Sequence, residues 1–510
     1  MAVNQLKAGA ILSYVSIGLN NIVGLIYTPF MLRMLGQNEY GLYSLVASVV
    51  AYLTVLDLGF ANAIVRYTAK FRAEGKINEQ YEMFGMFFLL YCGIGIVAFL
   101  IGLGLYFNVD NLFDVTMTDS DLGKIRIMML LMVFNVAFTF PMSIWGAIIT
   151  AYENFVFQKI INIARILLNP LVMIVLLCMG YKAIAMVVVI TIFNIATLCI
   201  NAWYCKYKIG IKVRFARFKF DFFREVAIYS FWIFLNAIMD RIYWSTGQFV
   251  LGIFAGAAAV AVYAIAIQLQ HIYLSFSTAI SGLFLPKVTK MVTQENDEKA
   301  ISDLFIRTGR IQYIIMAFIL TGFILFGKSF ITLWAGEGYE DAYTIALLFF
   351  VPLTVPLIQN LGITILQARN QMKFRSILYV IIAFCSLGIS IPLSQLYGGI
   401  GCAIGTSAAL VAGQIIAMNI YYYKKIHIDI PLFWKSIAKM SISPLCIGLV
   451  GWWILQNIAI HQVLPLIISI AIFSTVYITL FWFTSMNNYE RSLFASPLQK
   501  VYHKYKYVGK

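Results

Sequence analysis

Apolar stretches of about 20 residues recur along the whole chain, separated by short polar loops, and each is long enough to cross the hydrocarbon core as a helix. Runs such as IIMAFILTGFILF are apolar throughout, without the alternation that marks a membrane β-strand. Backbone groups in lipid must be hydrogen-bonded within the protein, which leaves helices or closed barrels. The pattern therefore predicts an all-α polytopic membrane protein.

The spacing of the apolar stretches predicts where the helices lie. We predict about fourteen transmembrane helices, at 10–32, 40–65, 83–107, 125–150, 160–180, 183–204, 226–253, 257–285, 308–334, 343–366, 377–397, 401–423, 440–459 and 463–485. Composition supports this, because only 12% of the 510 residues are charged, against about 25% in soluble domains. A chain this poor in charge cannot cover a water-facing surface.

Lysine and arginine are concentrated in alternate loops, above all in the stretch 206–225, whereas the intervening loops near 110–121 and 337–341 are acidic. Cytoplasmic loops of membrane proteins carry the excess of basic residues. We therefore predict that both termini are cytoplasmic. The formal net charge of +15 is then mainly a signal of topology, and it does not indicate nucleic-acid binding.

The sequence also contains a weak internal repeat. At one constant displacement, Gly36 and Tyr43 align with Gly256 and Tyr263. Two parallel halves of six helices are a transporter architecture, with the substrate site between them near the midplane. We predict an N-terminal six-helix lobe, a basic cytoplasmic linker, a C-terminal six-helix lobe, and two extra C-terminal helices with a basic cytoplasmic tail, at 1–205, 206–225, 226–425 and 426–510 respectively.

A charged pair lies in the middle of the seventh predicted helix, YSFWIFLNAIMDRIYWSTGQF. Asp240 and Arg241 follow Asn236 by about one turn, and the repeat aligns them with Asn20 and Asn21 of the first helix. A charge at mid-membrane costs roughly 3 kcal/mol on insertion scales, so such residues usually serve a function. We predict that these five residues line a water-filled cavity. The alternative is that Asp240 and Arg241 form ion pairs that hold helices together.

Other polar residues in the predicted helices allow more than one interpretation. Gln268 and His271 share a face of the eighth helix and are either cavity residues or packing residues. Asp57 in the second helix either carries a coupling proton or cation, caps a neighbouring helix, or pairs with Arg66 at the cytoplasmic end. Asp240 is a second candidate for ion coupling.

Several common catalytic and cofactor motifs are missing from the sequence. There is no P-loop, no HExxH, no paired-cysteine motif and no nucleophile elbow. The seven cysteines fall in or beside apolar runs without metal or disulfide spacing. We therefore predict a transporter rather than an enzyme, with no cofactor, no metal and no catalytic residues.

The stretch LGQNEYGLYSLVASVVAYLTVLDLGFANAIVRYTAKF resembles the oligosaccharide flippases, the polysaccharide-export branch of the multidrug/oligosaccharidyl-lipid/polysaccharide (MOP) exporter superfamily, which includes the MATE transporters. Their first loop reads LG-x-x-x-[FY]-G-x-[YF], matched here by Leu35, Gly36, Tyr40, Gly41 and Tyr43. Their second helix often contains D-x-G followed by a basic residue, matched by Asp57, Gly59 and Arg66.

This resemblance implies a function. It implies transfer of an undecaprenyl-diphosphate-linked oligosaccharide from the inner to the outer leaflet of the bacterial cytoplasmic (inner) membrane, for O-antigen, capsule or exopolysaccharide synthesis. The implied partners are that substrate, membrane lipids, and the polysaccharide polymerase and export machinery. In this interpretation Arg241 and Arg66 meet the diphosphate, Arg66 at the cytoplasmic mouth, because guanidinium groups suit phosphate recognition.

Three other functions remain as alternatives. A cation-coupled antiporter of drugs or organic cations from the same superfamily needs acidic cavity residues, whereas the central pair here is zwitterionic. A lipid II flippase is expected to carry more cavity arginines. A polytopic sugar-lipid transferase, a different class, is expected to show catalytic groups on a large outer loop, and the longest one here, about 108–124, is short and has no histidine.

Overall fold

The computed structural model describes residues 5–215, 220–281, 297–369, 371–456 and 460–493, together with 288, 291 and 495, and these residues form helices and no strands. In chain order the main helices are α1 Gln5–Leu35, α2 Gln37–Ala51, α3 Phe60–Ala73, α4 Ile77–Phe107, α5 Val109–Phe113, α6 Asp119–Ala151, α7 Phe155–Cys178, α8 Ala183–Tyr204, α9 Phe220–Phe254, α10 Gly256–Ser281, α11 Glu298–Ala335, α12 Asp341–Ile358, α13 Leu361–Ala368, α14 Lys373–Leu410, α15 Met418–Lys424, α16 Ile430–Leu455 and α17 Val463–Thr484.

Within this described part, 12 helical stretches are long and apolar enough to cross a membrane. The all-α membrane fold is therefore confirmed, whereas the count of fourteen helices is not. The stretch Lys373–Lys424 is one of the 12 and covers two predicted helices, with a break in helical geometry at Gly398 (φ 54°, ψ −132°). Helix α9 covers the seventh predicted helix but is not among the 12.

The second predicted helix is present but interrupted. Helix α2 ends at Ala51, a 3₁₀ turn spans Leu53–Asp57, and α3 begins at Phe60. Leu58 and Gly59 adopt left-handed backbone conformations, with φ of 53° and 73°. A left-handed leucine is strained because its Cβ approaches the following carbonyl. The surroundings of the break must therefore stabilise it.

The chain divides into two compact units, the first formed by Met1–Ile267 with Ser376–Ala409 and the second by Gln268–Arg375 with Leu410–Lys510. This is a different partition from the six-helix lobes predicted from the internal repeat, and those lobes stay a prediction. In the first unit α1 packs on α7, and α6 packs on α3, α4 and α8. An apolar core that includes Phe84, Phe87 and Ile148 fills the space between α3, α4 and α6.

In the second unit α11 packs against α12, α16 and α17. Phe473, Tyr477 and Phe481 of α17 form the apolar core with residues of α11 and α16. The segment after α17 is held by a buried ion pair, in which Arg310 Nε and a second guanidinium nitrogen lie 2.5 and 3.0 Å from the two carboxylate oxygens of Glu490. Glu490 is fully buried, so this pair fixes the segment after α17 to α11.

Candidate functional site at the interrupted second helix

The break in the second helix places Asp57 at the N-terminus of α3. Its carboxylate lies beside the backbone N–H groups of Gly59 and Ala61. The first N–H groups of a helix have no partner within the helix, and the helix dipole favours a negative charge there. The carboxylate therefore lies where a negative charge favours the second half of its own helix, and the roles weighed for Asp57 stay predictions.

A buried tyrosine completes the environment of Asp57. Tyr91 of α4 donates a hydrogen bond from its hydroxyl to Asp57 Oδ1 at 2.7 Å, and Tyr91 itself is fully buried. Its ring is stacked on Phe140 of α6, with 6.4 Å between the centroids. The half-buried carboxylate is thus fixed to the apolar core of the first unit.

Helix α9 passes beside this break. The hydroxyls of Tyr52 and Thr246 share a hydrogen bond before the break, and the rings of Phe60 and Phe223 lie 6.1 Å apart after it. The stretch of α9 between these two contacts carries the charged pair. Counting six residues back from Thr246 to Asp240 gives a separation of about 9 Å along the helix axis. The charged pair therefore lies at the level of the break.

Asp240 and Arg241 are both exposed, although they lie in the middle of a 35-residue helix. Asp240 has an interaction partner, whereas Arg241 makes no hydrogen bond or ion pair with any residue that the structure describes. A charged side chain that protein does not cover needs water or a polar ligand, because hydrocarbon is costly for it. This arrangement is compatible with a wet cavity, and both interpretations of the pair stay predictions.

The remaining predicted cavity residues are placed as follows. Asn20 is exposed and Asn21 is half-buried, both on α1 in the first unit. The side chain of Asn236 lies outside the described residues. Gln268 and His271 belong to the second unit, where Gln268 is half-buried and His271 is exposed. The roles of all five stay predictions.

Arg66 lies on α3 beyond the break. It is exposed, and its guanidinium carbon is 5.8 Å from the centroid of the Tyr67 ring. An exposed guanidinium can meet an anionic ligand, and the neighbouring ring adds a cation–π contact. Its assignment to a diphosphate stays a prediction.

Close contacts tie α2 to the end of α9 and the start of α10. A Cβ atom at Gly41 would lie 1.9 Å from the carbonyl oxygen of Ala257, so only glycine fits. Gly252 of α9 packs in the same way against Leu45, at 2.4 Å from an ideal Cβ to the leucine Cδ1. The Thr116 hydroxyl also donates to the Gly252 carbonyl oxygen at 2.8 Å. We call this set of contacts the Gly41 seal.

The same end of the first unit contains a partly buried ionic cluster. Lys124 Nζ lies 2.6 Å from the carboxylate of the buried Glu39, and Asn38 donates to Asp121 at 3.0 Å. These contacts fix the starts of α2 and α6 to each other beside the Gly41 seal. The sequence analysis did not identify the seal. The sequence offered one signal, which was Gly41 in the LG-x-x-x-[FY]-G motif. A motif does not show which residue its glycine contacts, so the seal could not be predicted.

Comparison with known proteins identifies the family. A profile of the family described as "Polysaccharide biosynthesis protein" matches residues 6–292, which is more than half of the chain. The uncharacterized membrane protein EpsK of Bacillus subtilis (strain 168) is 21% identical over 440 residues, or 84% of this chain and 85% of EpsK. The putative O-antigen transporter of Shigella flexneri is 20% identical over 413 residues, or 77% of this chain and 92% of that protein.

Solved structures show the same fold. Lipid II flippase MurJ in its inward closed conformation matches with a TM-score of 0.71 at 16% identity, covering 96% of this chain and 99% of MurJ. A multidrug resistance MATE family transporter of the MOP superfamily, in an inward-facing conformation, matches with a TM-score of 0.63 at 15% identity, covering 82% of this chain and 99% of the transporter. At such identities these likenesses establish the fold alone.

These findings confirm the predicted MATE/MOP-like fold, the resemblance to polysaccharide-export flippases, and a transporter rather than an enzyme. The chain belongs to the family described as "Polysaccharide biosynthesis protein".

Proposed function

We propose that this protein moves an undecaprenyl-diphosphate-linked oligosaccharide from the inner to the outer leaflet of a bacterial cytoplasmic membrane, with both termini in the cytoplasm. The support is the family match, the relative named as a putative O-antigen transporter, and the exposed Asp240–Arg241 pair beside the broken helix. The last of these observations carries the proposal, because it provides polar groups at mid-helix that protein does not cover.

The physical task explains why such groups are needed. Moving a hydroxyl from water into hydrocarbon without a hydrogen-bond partner costs roughly 4–8 kcal/mol, and an oligosaccharide carries many. Polar side chains in a cleft supply replacement partners, while the lipid tail stays in the bilayer. In this mechanism Arg241 meets the diphosphate within the cleft and Arg66 meets it at the cytoplasmic mouth.

The energy source follows from the sign of the charge. With a negative cytoplasm, outward movement of each negative charge gains roughly 2.3 kcal/mol per 100 mV of membrane potential. The potential alone is then sufficient to drive the diphosphate outward. Exchange of a proton or cation through Asp57 or Asp240 is a second coupling route that the proposal retains.

Alternating access supplies the motion. In the proposed orientation the Gly41 seal lies on the outer side, so its contacts hold that side closed while the cytoplasmic side receives substrate. Outward release then requires the seal to open and the opposite side to close. The polysaccharide polymerase and export machinery are the expected users of the released unit.

The test uses a strain that lacks the gene and measures which leaflet exposes the lipid-linked repeat unit. We expect the unit to accumulate on the cytoplasmic face and to return to the outer face when the wild-type gene is supplied. Normal outer exposure with an altered glycan structure would instead point to a transferase and contradict the proposal.

A matched pair of variants separates the role of Arg241 from a general need for basic residues. Arg241→Ala should reduce export by at least tenfold while the protein inserts and accumulates normally. Arg165→Ala is the control, because Arg165 is another exposed arginine inside an apolar helix, α7. Equal export by both variants would remove Arg241 from the transport path.

A further inference from the structure

The start of the basic linker is folded onto α4 and α6 rather than extended away from them. After α8 the chain forms a π-helical turn, Cys205–Ile209, and Gly210 then reverses it with a φ of 77°. The backbone N–H of Arg214 donates to the Tyr81 carbonyl oxygen at 3.1 Å. Its own carbonyl oxygen would lie 2.1 Å from a Cβ atom at Gly85, so glycine is required beneath the linker.

This folded segment borders an open pocket of about 570 Å³, which we call the linker pocket. Its apolar wall includes Phe88 of α4 and Trp145 of α6, and its basic residues are Lys206, Lys212 and Arg214. All three cations are exposed. No carboxylate lines the pocket among the described residues, so the positive charge is not neutralised from within.

The side-chain contacts of the three cations leave room for a ligand. The Arg214 guanidinium donates to Asn78 Oδ1 at 2.8 Å, which orients it without neutralising it. The Lys206 ammonium lies 5.6 Å from the Tyr207 ring centroid. No ion pair of Lys206 or Lys212 occurs within the part of the chain that the structure describes. Three positive charges around an apolar wall suit an anion that is attached to an apolar chain.

The surroundings of the pocket indicate its depth in the membrane. Trp203, Tyr207 and Phe215 are 59%, 68% and 64% exposed, although they are large aromatic residues. Tryptophan and tyrosine are enriched at the level of the lipid headgroups, where one part of the ring is apolar and another is wet. Their position at the end of the apolar helix α8 therefore places the linker pocket beside the headgroups.

We propose that the linker pocket binds an anionic glycerophospholipid. Its phosphate is held by Lys206, Lys212 and Arg214, and its glycerol and upper acyl carbons lie against Phe88 and Trp145. Basic clusters next to a transmembrane helix attract anionic lipids in this way. The volume fits a small headgroup. The proposal is independent of the proposed transport function.

The experiment is native mass spectrometry of the detergent-purified full-length protein with added lipids. We expect phosphatidylglycerol to bind at least tenfold more tightly than phosphatidylcholine. Each cation near an anionic headgroup is worth roughly fivefold in binding. Replacing two lysines, Lys206→Gln with Lys212→Gln, should then weaken phosphatidylglycerol binding about 25-fold.

The control is Lys424→Gln with Lys425→Gln, which removes two exposed lysines at the C-terminal end of α15 and should leave binding unchanged. Equal binding of both phospholipids, or equal loss in test and control variants, would overturn the proposal. Two competition arms identify the source of the phosphate. Displacement by inorganic phosphate, or preferential binding of undecaprenyl diphosphate, would assign the pocket to a free anion or to the transport substrate instead.

Discussion

The Gly41 seal allows a prediction about which conformation the protein occupies. In Gly41→Ala the added Cβ would lie 1.9 Å from a backbone oxygen, whereas ordinary contact begins at 3.4 Å, so the two backbones must separate by about 1.5 Å. A backbone carbonyl cannot turn aside as a flexible side chain can. The substitution therefore disfavours the closed seal.

The size of the effect follows from overpacking, which costs about 1–3 kcal/mol at well-packed sites. If the open form avoids the clash, the ratio of open to closed molecules rises about 5- to 150-fold. Gly252→Ala should have a smaller effect, because its clash is with the Leu45 side chain, which can change rotamer. Gly104→Ala is the matched control, since nothing lies within 4 Å of its added Cβ.

The assay is the distance between spin labels at Asn111 and Ala255, two exposed residues at this end of the first unit. The labels are attached to introduced cysteines in a protein whose seven native cysteines have been replaced. Pulsed electron resonance should show a longer-distance population in Gly41→Ala, less of it in Gly252→Ala, and none beyond wild type in Gly104→Ala. Identical distance distributions for the Gly41 and Gly104 variants would refute the reasoning.

Two further substitutions probe the contacts that stabilise each unit. Tyr91→Phe removes the hydrogen bond to Asp57 and should lower the free energy of unfolding by about 1 kcal/mol. When it is combined with Asp57→Asn, the loss should be smaller than the sum of the two single-variant losses. A double-mutant cycle of unfolding in detergent measures this difference. A strictly additive result would mean that the two groups do not interact. Glu490→Ala leaves the half-buried Arg310 without its carboxylate partner and should cost about 3 kcal/mol, seen as a lower Tm. Asp303→Ala is the control, because Asp303 is an exposed acid on α11, the helix that carries Arg310. It should leave the Tm near that of wild type.

Much of the fold was predictable because the bilayer permits so few structures. An apolar run cannot leave its backbone groups unpaired in lipid, so length and composition were enough to place helices. The same run does not reveal an interruption, since Leu53 to Phe60 is as apolar as the helix on either side. The Asp-Leu-Gly motif was visible, but the sequence did not show its left-handed geometry or the hydrogen bond that Tyr91, 34 residues further along the chain, donates to Asp57.

The candidate site was also predictable from the sequence only in part. Asp57, Asp240 and Arg241 were identified because a charge in an apolar run is costly and stands out in the sequence. The sequence did not show that these residues lie at the same depth along the helices. That depends on how α9 crosses the broken helix, through contacts such as Tyr52 with Thr246.

The sequence by itself determined that the chain lies in a lipid bilayer, that it is helical, and which charged residues interrupt the apolar runs. Each of these depends on the preference of individual residues and short segments for lipid or water. Only the tertiary structure decided that Gly41 meets Ala257 and that the linker folds over Gly85. Those contacts join residues far apart in the chain, and they depend on packing at atomic distances, which hydrophobic periodicity does not encode.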